Sequence, residues 1–183
     1  MHLYTLKMSK RDLKKYLTEL NKTQLEEQVL ELYDKFSAVK TYYDFVFNPK
    51  EDTLLKECKL KISNEYFPPR TSAKKARKPK MRRSVAQKYI KHFILLGVDP
   101  FIIGDVMLYS IEIAQTFSAE RVVKPELFFK SMLNSFEQAV KFMISNGIVA
   151  EFKSRMIAIN QETMRQKWFN HQEFDAIMER FEY

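Results

Sequence analysis

The residues best placed to do chemistry in this chain are cations. Arg70, Lys74, Lys75, Arg77, Lys78, Lys80, Arg82, Arg83, Lys88 and Lys91 follow one another closely, and no aspartate or glutamate occurs between Glu65 and Asp99. Side chains of this type neutralise phosphates and release the counterions held around them, so a dense run points to nucleic acid or another polyanion. The chain has 31 Lys and Arg against 23 Asp and Glu; with these ten set aside, 21 cations face 23 acids. The formal charge of +8 therefore belongs to one segment. Ser84 extends the pattern. As the N-cap of a helix it sets free backbone amides beside Arg82 and Arg83, a place for one phosphate. Both arginines precede that cap and lie off any apolar stripe, so the fold is expected to tolerate their removal.

Other chemistries find less support. His2, His92 and His171 are too scattered for a local metal site, and His171 with Glu173 stands at i, i+2, which points the two side chains apart on a helix. Asp99, Asp105 and Glu112 could converge as a set of acids, but capping accounts for Asp99 and an exposed helix face for Glu112. Cys58 is the single cysteine, flanked at helical offsets by Leu54, Leu55 and Ile62, and reads as a small buried hydrophobe. It can form no internal disulfide, which suits a reducing compartment. No nucleophile elbow, Gly-rich phosphate loop, Cys-x-x-Cys pair or kinase signature occurs. The reading is of a binding module without enzymatic activity, metal or cofactor.

The elements that must hold these residues are helices. Only three glycines occur in 183 residues, and apolar residues recur at three- and four-residue spacing almost throughout, with none of the alternation of strands. With 45% hydrophobic and 14% aromatic residues the chain can bury a core. The expected fold is all-α, eight or nine helices in successive hairpins, forming an α-bundle or a short irregular solenoid. Ser9 with Asp12, Thr23 with Glu26 and Asn170 with Glu173 have the spacing of capping boxes. Asp99 before Pro100 opens another helix, Pro125 the next, and Gly147 after Asn146 closes that one. Leu13, Leu17 and Leu20 face Leu25, Val29, Leu32 and Phe36 across a first hairpin. Val39, Tyr42, Tyr43 and Val46 form a third stripe, ended by Asn48 and Pro49. Val85, Tyr89, Phe93 and Leu96 form a later one, with Lys88 and Lys91 on the opposite side. Leu127, Phe128, Met132, Phe136 and Val140 form another, and the expected core comprises Leu17, Val29, Phe36, Tyr89, Phe93, Ile113, Phe136, Val140 and Phe152. The pairs Tyr42 and Tyr43, Phe128 and Phe129, and Trp168 and Phe169 each put one ring on a stripe and the other about 100° round the helix.

Residues 68–83 lack periodicity and contain three prolines, which reads as a basic, mobile connector. The expected organisation is N-terminal helical hairpins over 1–67, the basic linker 68–83, and a C-terminal helical bundle over 84–183, the two helical parts being either separate or packed as one domain. The start MHLYTLKMSKRDL has no apolar h-region, and Asp99, Pro100 and Asp105 interrupt the apolar stretches near the middle, so no signal peptide or membrane span is read and the expected location is the cytoplasm.

SKRDLKKYLTEL, YYDFVFNP, RRSVAQKYIKHFILLGVDP and DVMLYSIEIAQTF resemble a bacterial family of small all-α proteins with no assigned activity. The resemblance covers the chain from Met8 onward, implies a bacterial cytosolic protein, and makes MSKRDL look like a natural start. KKARKPKMRR fits a nuclear localisation pattern, which conflicts with that resemblance. The partner the charge calls for is RNA or DNA backbone or another polyanion, contacted through residues 70–91. The alternative is a protein-interaction or scaffold module whose linker is charged incidentally.

Overall fold

The computed structural model describes residues 8–69 and 78–180, and among these every regular element is an α-helix. There are nine: α1 Lys10–Thr18, α2 Lys22–Lys35, α3 Ser37–Phe47, α4 Glu51–Tyr66, α5 Arg83–Leu96, α6 Pro100–Glu120, α7 Glu126–Ser145, α8 Val149–Arg165 and α9 His171–Glu179. Local chemistry sets most of the boundaries. Ser9 Oγ accepts the Asp12 amide at 3.2 Å while Asp12 accepts the Ser9 amide at 3.1 Å, the expected capping box. The second box falls on Asn21 and Gln24 instead of Thr23 and Glu26, with reciprocal bonds of 2.9 and 3.0 Å. Asparagine caps more strongly than threonine, so the helix starts two residues earlier. Asp99 caps α6 by accepting the Phe101 amide at 2.8 Å. Gly97 and Gly147 end α5 and α7 at φ of 74° and 69°, where a side chain would be strained.

The chain divides into two compact units, 1–49 and 50–183. In the first, α2 packs on α3, Tyr33 donates to Asp44 at 3.2 Å, and Gln28 Nε2 on α2 donates to Tyr16 on α1 at 2.6 Å. None of the residues in α1–α3 is buried. Leu17, Val29 and Phe36, expected in the core, are exposed, Phe36 by 53%. Three short helices enclose too little volume to cover any side chain on all sides.

In the second unit α6 is the central helix and packs against α4, α5, α7 and α8. Phe93, Phe136, Leu108, Ile111, Val140 and Met143 are almost wholly inaccessible, as is Phe174 on α9. Gly104 lets α8 come close, since a Cβ there would stand 3.0 Å from the Phe152 ring. α4, which the sequence reading grouped with the N-terminal hairpins, packs on α5 and α6 through buried Cys58, Ile62 and Tyr66. Other expectations shift as well. The buried side of α5 is Ala86, Ile90, Phe93 and Leu96, leaving Val85 and Tyr89 half-buried beside it, and Ile113 is half-buried on α6. Leu127 is 77% exposed at the first turn of α7, where nothing packs over it. Asn170 does precede α9, but its side chain makes no cap; Nδ2 donates to the Phe129 carbonyl at 3.2 Å and so joins two distant segments.

Candidate polyanion-binding cleft

α4 and α5 lie side by side and diverge enough to leave a cleft of about 720 Å3. α4 contributes Lys61, Asn64 and Glu65, one turn of one face, which flank the buried Ile62 and Tyr66 in sequence. α5 contributes Val85, Lys88, Tyr89 and His92 at the i, i+3, i+4, i+7 spacing of a single face. The remaining wall is the connector, with Pro68 and Pro69 leaving α4 and Lys78, Lys80 and Arg82 entering α5. Lys61, Lys78, Lys80 and Lys88 are exposed, whereas Asn64, Val85, Tyr89 and His92 are half-buried.

Glu65 organises this wall. Its carbonyl accepts the amides of Lys80 and Met81 at 2.9 and 3.0 Å, and its carboxylate takes the Arg82 guanidinium in a two-point grip of 2.8 and 2.7 Å. The hydrogen bonds from Arg82 hold the Glu65 carboxyl below the ordinary carboxylate range, and Lys80 adds to that field. Met81 bends through φ 51° to bring the three residues onto one partner, a conformation that costs a non-glycine residue about 1–3 kcal/mol. Residues 80–82 are thus anchored, where the sequence predicts a mobile connector. The one acid in the cleft is already paired, so the charge of Lys61, Lys78 and Lys88, none of which forms an ion pair among the described residues, is uncompensated.

The other residues of the basic segment take different places. Arg70, Lys74, Lys75 and Arg77 lie outside the described residues. Lys91 is exposed on α5 but does not line the cleft. α5 begins at Arg83, with Arg82 in the cap position held extended by Glu65, so Ser84 sits exposed within the first turn and is not the cap. Arg83 turns away from the cleft: Nε donates to Ser135 Oγ at 2.7 Å and Nη2 to Gln138 Oε1 at 3.1 Å, both on α7. Both arginines therefore have structural partners, and the expectation that the fold is indifferent to them does not hold. Lys61, Asn64, Tyr89 and His92 escaped the sequence reading. Lys61 and Asn64 are distant in sequence from the charge run, and Tyr89 was assigned to the core; the shared helical spacing on α4 and α5 was the available signal.

A model of a protein family, described as a family of unknown function and named DUF6155, matches residues 8–182. The chain belongs to DUF6155. No curated protein and no solved structure matches it.

Elsewhere in this DUF6155 chain, Asp105 and Glu112 do converge, but onto a cation. Arg155 of α8 grips Glu112 at 2.8 Å through two nitrogens and reaches Asp105 at 2.8 Å, while Lys59 of α4 approaches Asp105 at 2.6 Å. Both acids are neutralised in a network that ties α4, α6 and α8 together. Burial pushes the Cys58 thiol up to about 12, so it holds almost no thiolate at neutral pH. Among the described residues no three His, Cys, Asp or Glu side chains gather as a metal site would require, and no helix is long and apolar enough to cross a membrane.

Proposed function

We propose that this protein is a non-enzymatic module that binds nucleic acid, or a comparable polyanion, through the cleft between α4 and α5. The observation that carries the reading is the cleft's charge: Lys61, Lys78, Lys80 and Lys88 converge from three segments around a single carboxylate that Arg82 already occupies. Phosphates brought there meet fixed cations without displacing an internal partner, and counterion release favours the complex. Among the described residues no helix lining the cleft presents Asn, Gln and Arg together, so contacts position a strand with little preference for its sequence.

The test is binding of fluorescently labelled mixed-sequence RNA and DNA as a function of salt. Affinity is expected to fall linearly on a log-log plot, and Lys61→Ala, Lys78→Ala and Lys88→Ala should each flatten the slope by roughly 0.7 to 0.9. Absence of binding at about 50 mM salt, where such contacts are strongest, would retire the proposal. A protein-interaction module is then the second reading. It draws on α1–α3, where Leu30, Phe36, Val46 and Phe47 are exposed together with Leu13 and Leu32.

A further inference from the structure

We propose that the cleft seats a nucleotide of a single-stranded nucleic acid with its base inside, rather than following the backbone of a duplex. This rests on the polyanion reading above and adds the form of the partner.

Three features separate the two forms. The first is shape. The cleft is open on one side, and its volume of about 720 Å3 matches sites that take a small organic group such as a base, whereas a duplex, which keeps its bases stacked inside, would use only the rim. The second is the division of the lining. The lysines are exposed, but between them Pro68, Val85 and Tyr89 are half-buried and apolar, a surface that phosphate alone would leave unused. An aromatic ring between cations is the arrangement by which single strands are held, because every base has a face to stack and every linkage a charge to neutralise. The third is unspent hydrogen bonding. Among the described residues neither the Asn64 amide nor the Tyr89 hydroxyl bonds to a protein group, although both line the hollow. An amide that both donates and accepts can meet the edge of any base, and an unpaired strand leaves that edge free. Tyr89 packs edge-to-face against the fully buried Phe93 at 6.3 Å between ring centres, which fixes the ring before a ligand arrives.

The experiment compares four probes against the full chain at about 50 mM salt: a labelled single-stranded oligonucleotide, in RNA and DNA forms; the same sequence as a duplex; an abasic strand of equal length; and a nucleoside triphosphate as competitor. The single strand is expected to bind about tenfold or more tighter than the abasic strand and the duplex. Tyr89→Ala should remove most of that advantage while leaving abasic binding unchanged. Tyr89→Phe, which keeps the ring and its packing on Phe93, should retain it, and the unchanged abasic binding of Tyr89→Ala separates loss of the stacking surface from misfolding. Lys88→Ala should weaken all strands alike. Equal binding of single strand, duplex and abasic strand would overturn this inference and leave the polyanion reading standing. A triphosphate that competes as well as the oligonucleotide would also overturn it, assigning the cleft to a free nucleotide. Failure of every probe to bind would overturn both.

Discussion

Glu65 uses its backbone carbonyl for the amides of Lys80 and Met81 and its carboxylate for Arg82, so a single residue fixes where the connector enters α5. The consequence is a pH dependence whose direction is set by the lowered Glu65 value. The pair stabilises the fold fully above the ordinary glutamate value of 4.5, and the contribution disappears as pH falls through the lower folded value. Glu65→Gln should therefore melt below wild type at neutral pH, and the gap should narrow as pH falls below the ordinary glutamate range and close below the lowered Glu65 value, as followed by circular dichroism. Arg83 makes a separate claim. With its guanidinium half-buried against Ser135 and Gln138, Arg83→Ala is expected to cost about 1–3 kcal/mol in denaturant titration. At this scale the sequence made the cations visible but not their partners. Arg82 and Arg83 are adjacent and chemically alike, yet one faces the cleft and the other α7, because Arg82 is held extended in the cap position by Glu65 while Arg83 is the first helical residue of α5.

The helices themselves were largely readable. Apolar spacing located them, and Ser9, Asp99 and Gly147 marked their ends, since capping is decided by a few neighbouring atoms. What periodicity could not decide is which flank of a wide apolar face becomes interior. On α5, Val85 and Tyr89 lie one position before Ala86 and Ile90, and the choice between the two stripes is made by α4 and α6, which no local pattern encodes. The same limit explains why Lys61 and Asn64 were not joined to the charge run. The burial contrast is measurable: Phe93→Ala and Phe136→Ala should each cost roughly 3–5 kcal/mol, because both side chains are completely enclosed. Phe36→Ala, on a helix end that stays exposed, should cost under about 1 kcal/mol. Comparable losses in all three, read from urea midpoints, would show that α2 and α3 bury more than their surfaces indicate.

At the scale of the whole chain, the division at residue 49 matters more than the basic segment, because every buried side chain among the described residues lies between Cys58 and Ile177. A chain of residues 50–183 is therefore expected to unfold cooperatively by itself, with a melting temperature within a few degrees of the full protein, and a broad, non-cooperative melt would refute this. The missing periodicity and three prolines of residues 68–83 point to a division at the connector, whereas compactness follows from where α4 buries its side chains. Cys58 lies in that same buried set, wholly inaccessible on α4, and it is the single cysteine of the chain. A thiol reagent therefore has one place to react and no route to it while α4 stays seated. The rate of labelling is a clock for the opening of α4: it reports how often the wall that carries Lys61 and Glu65 leaves the core, and a ligand that bridges α4 and α5 should slow it.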